Sequence, residues 1–468
     1  MPACIFRAGL IGTSMQTSFT QEQLRRPEIA KAATILKDCV HYGFCTAVCP
    51  TYVLLRDEND SPRGRIDLIR AMLEKGGPPD PKTVLHLDRC LSCNSCMTTC
   101  AAKVDYMHLA DIGRAYIERN FRRPLGDRIL RNLLANVLTH PERFRAAVYA
   151  ARLASPFASL LPQRVRNLMM LARQPLPSPG APAQSGTFHA QGERKARVAL
   201  LTGCVQQAMA PHINAATIRL LTRHGCEVVV AAAAGCCGAL PLHIGMEDRA
   251  RANGERLLRA WAEAERVERF DAFIITASGC GTTIKDYEKL FPRETPIGML
   301  AASVAQRALD VSELIQQIGL KQSAQGSPVT VVYHDACSLQ HAQRVTEPPR
   351  QLLRKAGFRV VDVPERHFCC GSAGTYNMLQ PELARELGLR KAKHVDSTGA
   401  DILAAGNLGC LIQIALYSSK PAVHTVELLD WATGGPVPPA LSSLPLPRSD
   451  KPDASVSSQA AADGNAIW

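Results

Sequence analysis

Between residues 193 and 433, short runs of β-branched and apolar residues alternate with longer stretches whose apolar positions recur at helical spacing. The run Arg197-Val-Ala-Leu-Leu-Thr predicts a strand leading to Cys204. A helix is predicted over His212 to His224, and Glu227-Val-Val-Val reads as a second strand before Gly-Cys-Cys-Gly at 235–238. Another helical stretch precedes the strand-like Ala272-Phe-Ile-Ile-Thr and Cys280. The order then recurs. Val329-Thr-Val-Val-Tyr leads to Cys337, Arg359-Val-Val-Asp-Val precedes Cys369-Cys370-Gly371, and Asp401-Ile-Leu-Ala-Ala precedes Cys410. Cys204 to Cys236 and Cys337 to Cys369 are both 32 residues, while Cys237 to Cys280 is 43 and Cys370 to Cys410 is 40. Alternating strand and helix with repeated spacing predicts two similar α/β modules, 193–320 and 321–433.

The chain ahead of this repeat is helical in pattern. Residues 21–125 hold two further cysteine motifs, separated by Pro-Arg-Gly-Arg-Ile-Asp-Leu-Ile-Arg at 62–70, a helix start with proline in its first turn. Residues 126–173 are amphipathic, with Pro156 and Pro162 as breaks. A Pro/Gly/Ser/Ala-rich linker is expected over 174–192, a flexible N-terminus over 1–20 and a disordered tail over 434–468. Met15 opens a run that reads like a natural start, and 1–14 are expected to be an extension.

The chain has 468 residues, 46% apolar and 21% charged, ample for several buried cores. Its 17 cysteines are many and odd in number. No run of 18 apolar residues predicts a transmembrane helix, and no signal-peptide pattern opens the chain. A cytoplasmic, reducing compartment is therefore expected, in which clustered cysteines mean metal or redox chemistry rather than disulfides. The net charge of +12 is uneven. Residues 112–175 contain 12 arginines, no lysine and only Glu118, Asp127 and Glu142, for a local charge of +9. Such a stretch is either a solvated helical face or a docking surface for an acidic partner or anionic membrane, with Arg122, Arg123, Arg164 and Arg166 as candidate contacts. No nucleic-acid partner is expected, because the stretch has few aromatics for stacking and no binding motif.

The first motif is Cys39-Val-His-Tyr42-Gly-Phe-Cys45-Thr-Ala-Val-Cys49-Pro50, and the second is Cys90-Leu-Ser-Cys93-Asn-Ser-Cys96-Met-Thr-Thr-Cys100-Ala101. The second matches C-x2-C-x2-C-x3-C in full. In that spacing three thiolates from one loop grip one cubane, and the fourth cysteine serves the other cluster. One 4Fe–4S cluster is thus expected on Cys90, Cys93, Cys96 and Cys49. The other takes Cys39, Cys45 and Cys100, with Tyr42 where a fourth thiolate belongs, so a 3Fe–4S form is an alternative there. Zinc also accepts C-x2-C ligation, but the paired long motif is an iron–sulfur pattern. A helix between the motifs argues for a helical two-cluster ferredoxin module. The fold class expected is α+β and multidomain, with that module followed by the two repeated α/β CCG modules.

The cysteines of the repeat form two sets: Cys204, Cys236, Cys237 and Cys280, then Cys337, Cys369, Cys370 and Cys410. Adjacent thiols on a glycine-flanked turn bind metal or undergo dithiol exchange; buried structural cysteines are the plainer alternative. A ferredoxin module followed by two CCG modules resembles the family of glycolate oxidase iron–sulfur subunits and the related CCG subunits of anaerobic glycerol-3-phosphate dehydrogenase and heterodisulfide reductase. It is most similar to the first of these. The resemblance rests on residues 39–47, Pro-Arg-Gly-Arg-Ile (62–66), His-Leu-Asp-Arg-Cys-Leu (86–91), Asp-Ile-Gly-Arg (111–114), Thr-Ala-Ser-Gly-Cys-Gly (276–281), Leu-Gln-His-Ala-Gln (339–343) and Cys-Cys-Gly-Ser-Ala-Gly-Thr-Tyr (369–376). It spans about residues 15–430.

The resemblance implies an electron-transfer subunit of an oxidoreductase complex. A separate flavin-containing subunit would oxidise glycolate to glyoxylate, and this chain would carry electrons toward quinone, at the cytoplasmic face of the inner membrane and without activity of its own. It supports Cys39, Cys45, Cys49, Cys90, Cys93, Cys96 and Cys100 as ligands, and the eight CCG cysteines as possible holders of a further cluster. Some CCG relatives end each module in C-x-x-C; this chain has Ala277 and Asn407 where the first of those cysteines falls. Three functions compete. They are an electron conduit of a glycolate, lactate or glycerol-3-phosphate dehydrogenase, a disulfide or quinone reductase acting at the CCG site, and a cluster-stabilised scaffold. No G-x-G-x-x-G fingerprint of a dinucleotide site follows a strand.

Overall fold

The computed structural model describes residues 15–156, 185–321 and 329–442. The expected extension over 1–14, Pro162, Arg164 and Arg166, most of the linker, and the tail from 443 lie outside the described residues.

Four helices, Pro27–Lys37, Pro62–Lys75, Pro81–Asp88 and Tyr106–Asn120, carry the first module. Three begin with proline, whose missing N–H is not needed in the first turn. Ser61 and Asp80 cap two of them, accepting from the backbone N–H of Gly64 and of Lys82 and Thr83. The inward faces pool Ile29, Leu36, Ile69, Leu73, Leu87 and Leu109 into one core. Gly64 is required here, because a Cβ would lie 2.0 Å from the Glu58 carbonyl oxygen. The stretch expected to be flexible over 1–20 is packed from Met15 onward. Met15 is buried and its N–H donates to the Cys39 carbonyl at 3.1 Å.

The repeat folds as two sheets. The first runs β1 (Gly186–Phe188), β3 (Cys226–Val230), β2 (Ala196–Leu201), β4 (Ala272–Ile275) and β5 (Ala308–Asp310) across the sheet. All its pairs are parallel except β1 with β3. β1 lies inside the span expected to be linker. The second sheet is wholly parallel, in the order β7 (Arg359–Asp362), β6 (Thr330–Tyr333), β8 (Ile402–Ala405), β9 (Ala422–His424). Parallel strands covered on both faces read as continuous apolar runs, as these do. One core holds Val198, Leu200 and Ile274 from the first sheet with Val331, Tyr333 and Ile402 from the second, so the two copies are packed into one body. The helix Thr425–Ala432 crosses to the helix Pro211–Arg223, where Arg219 and Arg223 pair with buried Asp430 at 2.6 and 2.9 Å.

Two helices, Leu125–Val137 and Pro141–Leu153, join the halves. Three arginines of this region, Arg114, Arg123 and Arg131, are turned inward, while Arg119, Arg122, Arg128 and Arg143 are exposed. Arg123 pairs with Asp88, Glu118 and Asp127, and Arg131 with Asp88 and Asp127. Both guanidinium groups are buried against these carboxylates. Arg114 donates to Ser92 Oγ and to the Cys90 carbonyl. Arg123 and Arg131 tie the helix Leu125–Val137 to the ferredoxin module and are not free for docking, which corrects the expectation for Arg123.

Candidate metal centres

The loop after the helix Pro81–Asp88 turns twice through left-handed backbone, at Ser92 (φ 52°) and Asn94 (φ 59°). These turns bring Cys90, Cys93 and Cys96 around one cavity. Cys49 closes it from the start of the helix Pro50–Leu55. The four cysteines assigned to one cluster from their spacing therefore converge. Arg65, 1% exposed, crosses behind them. It donates to Cys49 Sγ at 3.8 Å, to Thr51 Oγ1 at 3.0 Å and to the His86 carbonyl at 2.7 Å, and pairs with Asp60 at 3.1 Å. Tyr106 Oη donates to Cys90 Sγ at 3.5 Å. Burial alone would raise the Cys90 thiol. The Arg65 and Arg114 guanidinium groups and the Tyr106 hydroxyl outweigh it and hold Cys90 below the ordinary thiol range. A fixed cation behind four thiols fits a cofactor that carries net negative charge when thiolate-bound.

The adjoining cavity is lined by Cys39, Cys45 and Cys100, together with Tyr42. Left-handed His41 (φ 54°) and Gly43 (φ 84°) flank Tyr42. Its side chain is 57% exposed, at the outer rim, so the fourth corner faces solvent. Burial, then the nearby Cys39 and Cys100, push the Cys45 thiol up to about 11. Metal binding must release such protons, which ties occupancy to pH. Cys96 lines both cavities, as do Pro62 and Tyr106, so the two sites share a wall.

All eight CCG cysteines line a single cavity of about 600 Å³ between the two modules. Cys204 and Cys236 approach to 3.6 Å between sulfurs, and Cys337 and Cys369 to 3.8 Å. Gly238 (φ 87°) and Gly371 (φ 88°) make the equivalent left-handed turn after each Cys-Cys pair, and a Cβ there would meet a helix carbonyl at 2.5 or 2.7 Å. Ala277 and Asn407 also line the cavity; the Asn407 amide donates to Cys410 Sγ at 3.3 Å. The far wall is apolar and comes from the two joining helices, through Leu134, Val137, Leu138, Phe144 and Val148. Every cysteine among the described residues carries a free thiol. Cys226, the remaining one, is buried in strand β3 away from these sites.

The ferredoxin loop docks directly on the second CCG module. Cys93 and Cys369 belong to one buried cluster with Leu91 and Tyr376, and Cys337 packs against it. Thr98 Oγ1 bonds His341 Nδ1 at 2.9 Å, and Tyr376 Oη donates to the Arg89 carbonyl at 3.0 Å. On the other side, His108 bridges Asp105 at 2.6 Å and Asp286 of the first CCG module at 2.7 Å. Spacing alone grouped the cysteines. It missed Arg65, the apolar roof over the CCG cavity and the contact between Cys93 and Cys369, all of which depend on tertiary packing. The Pro-Arg-Gly-Arg-Ile run was the one available signal for Arg65.

Residues 20–104 match the 4Fe-4S dicluster domain family, and residues 198–285 and 331–415 each match the Cysteine-rich domain family. The chain is 38% identical over 418 residues to the glycolate oxidase iron–sulfur subunit of Escherichia coli K12, covering 89% of this chain and 99% of that protein. It is 30% identical over 422 residues to the "Probable glycolate oxidase iron-sulfur subunit" of Bacillus subtilis 168, covering 85% and 94%. Lactate utilization protein A of Oceanobacillus iheyensis is 28% identical over 242 residues, which is 50% of this chain and 96% of that protein.

Proposed function

The chain belongs to the family of glycolate oxidase iron–sulfur subunits, and from that premise we propose that it passes electrons from a separate flavin subunit, which oxidises glycolate to glyoxylate, toward quinone. Glycolate gives up two electrons and two protons on becoming glyoxylate, and quinone takes up the same on becoming quinol, so the two half-reactions balance. Where the flavin and the quinone sites lie apart, a carrier must relay the electrons between them. Cys49, Cys90, Cys93 and Cys96 would hold a 4Fe–4S cluster, which would supply one-electron exchange. Cys39, Cys45 and Cys100 would hold a second cluster, and the CCG cysteines a further one.

One observation carries the reading: the three cysteine sites lie in series. Cys96 borders both ferredoxin cavities, and Cys93 packs with Cys369 and Cys337 of the CCG cavity. The chain's own residues tune the series. Arg65 and Tyr106 stabilise negative charge at the central site, while burial keeps water from its thiols. The apolar roof of the CCG cavity suits a hydrophobic ring acceptor such as quinone. No helix among the described residues is long and apolar enough to cross a membrane.

The test is reconstitution. Glycolate should leave the isolated chain oxidised and should reduce it once the flavin subunit is added. Lactate or glycerol 3-phosphate acting through their own flavoproteins instead would assign the chain to those complexes. The paired CCG thiols favour one rival, a disulfide reductase. Disulfide turnover by the isolated chain, lost in Cys236→Ser or Cys369→Ser, would establish that rival in place of the conduit.

A further inference from the structure

The two CCG modules differ where their metal chemistry would lie. His334 follows strand β6, and its ring is 1% exposed. Neither Nδ1 nor Nε2 has a hydrogen-bond partner. Leaving both imidazole nitrogens buried and unpaired is costly. The ring is not isolated from donors of another kind. A nitrogen of His334 and the sulfurs of Cys370 and Cys410 all lie within 4.8 Å of one another, and all three residues are buried. Lys391, 2% exposed, donates to the Glu365 carbonyl at 2.7 Å on the helix packed over this group.

The first module has no counterpart to either residue at the equivalent positions, although His243 lines the cavity from its side. His334 lies three residues before Cys337, and Leu201 lies three before Cys204. The registers agree, since Tyr333 pairs with Ala404 and Leu200 with Ile274 in the matching strands. Counted from the equivalent helix glycines Gly388 and Gly254, Lys391 corresponds to Leu257. Leu201 and Leu257 are both buried in an apolar core. The second module thus places an imidazole and a cation where the first has two leucines. It also keeps its last cysteine, Cys410, more buried than Cys280.

We propose that the second CCG module holds a metal centre of mixed imidazole–thiolate ligation, with His334 as a ligand beside Cys370 and Cys410, and that the first module has no equivalent ligand. This deepens the reading of the CCG cysteines as cofactor-binding and rests on it. Imidazole with soft thiolates suits iron of an iron–sulfur centre or zinc. The ring supplies the donor that Asn407 does not, and the centre gives the otherwise orphaned imidazole its partner.

The full chain is purified anaerobically as wild type, His334→Leu, His334→Cys and Cys370→Ala, and iron and zinc per chain are measured. His334→Leu copies the first module's own residue. It should lose the metal of one centre while the electron paramagnetic resonance signals of the ferredoxin clusters persist, and His334→Cys should restore part of it. Whichever element falls identifies the metal. For iron, hyperfine spectroscopy on the wild type should show a strongly coupled nitrogen that changes with ¹⁵N-histidine. For zinc, X-ray absorption should show a nitrogen at about 2.0–2.1 Å among sulfurs at about 2.3 Å. These wild-type spectra decide the matter even if a variant fails to fold. If Cys370→Ala loses metal but His334→Leu does not, and no nitrogen coupling is found, His334 is not a ligand and the proposal is overturned. If Cys370→Ala also keeps all its metal, the cofactor-binding reading of the second module falls with it.

Discussion

His108 joins the ferredoxin module to the first CCG module, and its protonation should govern how firmly they hold. Burial disfavours the imidazolium, but hydrogen bonds to Asp105 and Asp286 outweigh it and raise the pKa from 6.5 to about 9. Asp111, the other carboxyl acting on this ring, is pushed up to about 6 by its own burial. The folded pKa of His108 lies above the unfolded one. Its contribution is therefore complete below pH 6.5 and is lost as pH rises from 6.5 through 9. A tenfold change in proton affinity is about 1.4 kcal/mol, so the displacement amounts to on the order of 3 kcal/mol. The partly exposed Asp286 reduces this toward about 2 kcal/mol. Asp111 loses its favourable protonated state between about pH 4 and 6, below the window in question. Denaturant unfolding at about pH 6, 7.5 and 9 should show the stability advantage of the wild type over His108→Gln shrinking by about 2 kcal/mol across this range. An advantage that stays constant across the range would refute the assignment.

Other consequences can be checked separately. Cys93→Ala should abolish most of the reducible cluster signal and destabilise the ferredoxin module, because a cluster on Cys49, Cys90, Cys93 and Cys96 staples distant loops; unchanged iron content and folding would sink that ligand set. Tyr42 occupies an exposed corner, so the oxidised protein should show a 3Fe–4S fraction by electron paramagnetic resonance that Tyr42→Cys converts to 4Fe–4S. A stable pair of 4Fe–4S clusters unaltered by the substitution would count against it. Arg123→Gln should cost about 2 kcal/mol of stability, since Asp88 loses its bonds from Arg123 but keeps Arg131, with sedimentation on anionic vesicles unchanged. The opposite pattern would restore Arg123 to a docking face.

Local order was legible in this chain wherever it depends on near neighbours. The strands before Cys204 and Cys337 announce themselves through apolar runs, and the grouping of the ferredoxin cysteines around two cavities through C-x2-C-x2-C-x3-C spacing. The expected helix over 212–224 is found at Pro211–Arg223. What depends on distant partners was not legible. Arg123 and Arg131 read as surface charge until Asp88, 35 residues before Arg123, is seen to hold both from the neighbouring helix. Eight cysteines in two repeats gave no sign that they share one cavity, or that the amphipathic helices roof it. His334 is a single histidine beside a strand, and only the fold brings it to Cys370 and Cys410.

The central claim is that the sites in series carry electrons between an external flavin and quinone. Single-turnover absorbance after mixing glycolate with the reconstituted flavin subunit and this chain tests it most directly. Glycolate should bleach the broad iron–sulfur absorption, and a quinone analogue should restore it. With Cys96→Ser, which lies between the two ferredoxin cavities, the flavin should still be reduced while restoration by quinone fails. Unimpaired electron delivery to quinone by the Cys96→Ser complex, or reduction of quinone by the flavin subunit at the same rate without this chain, would contradict the account.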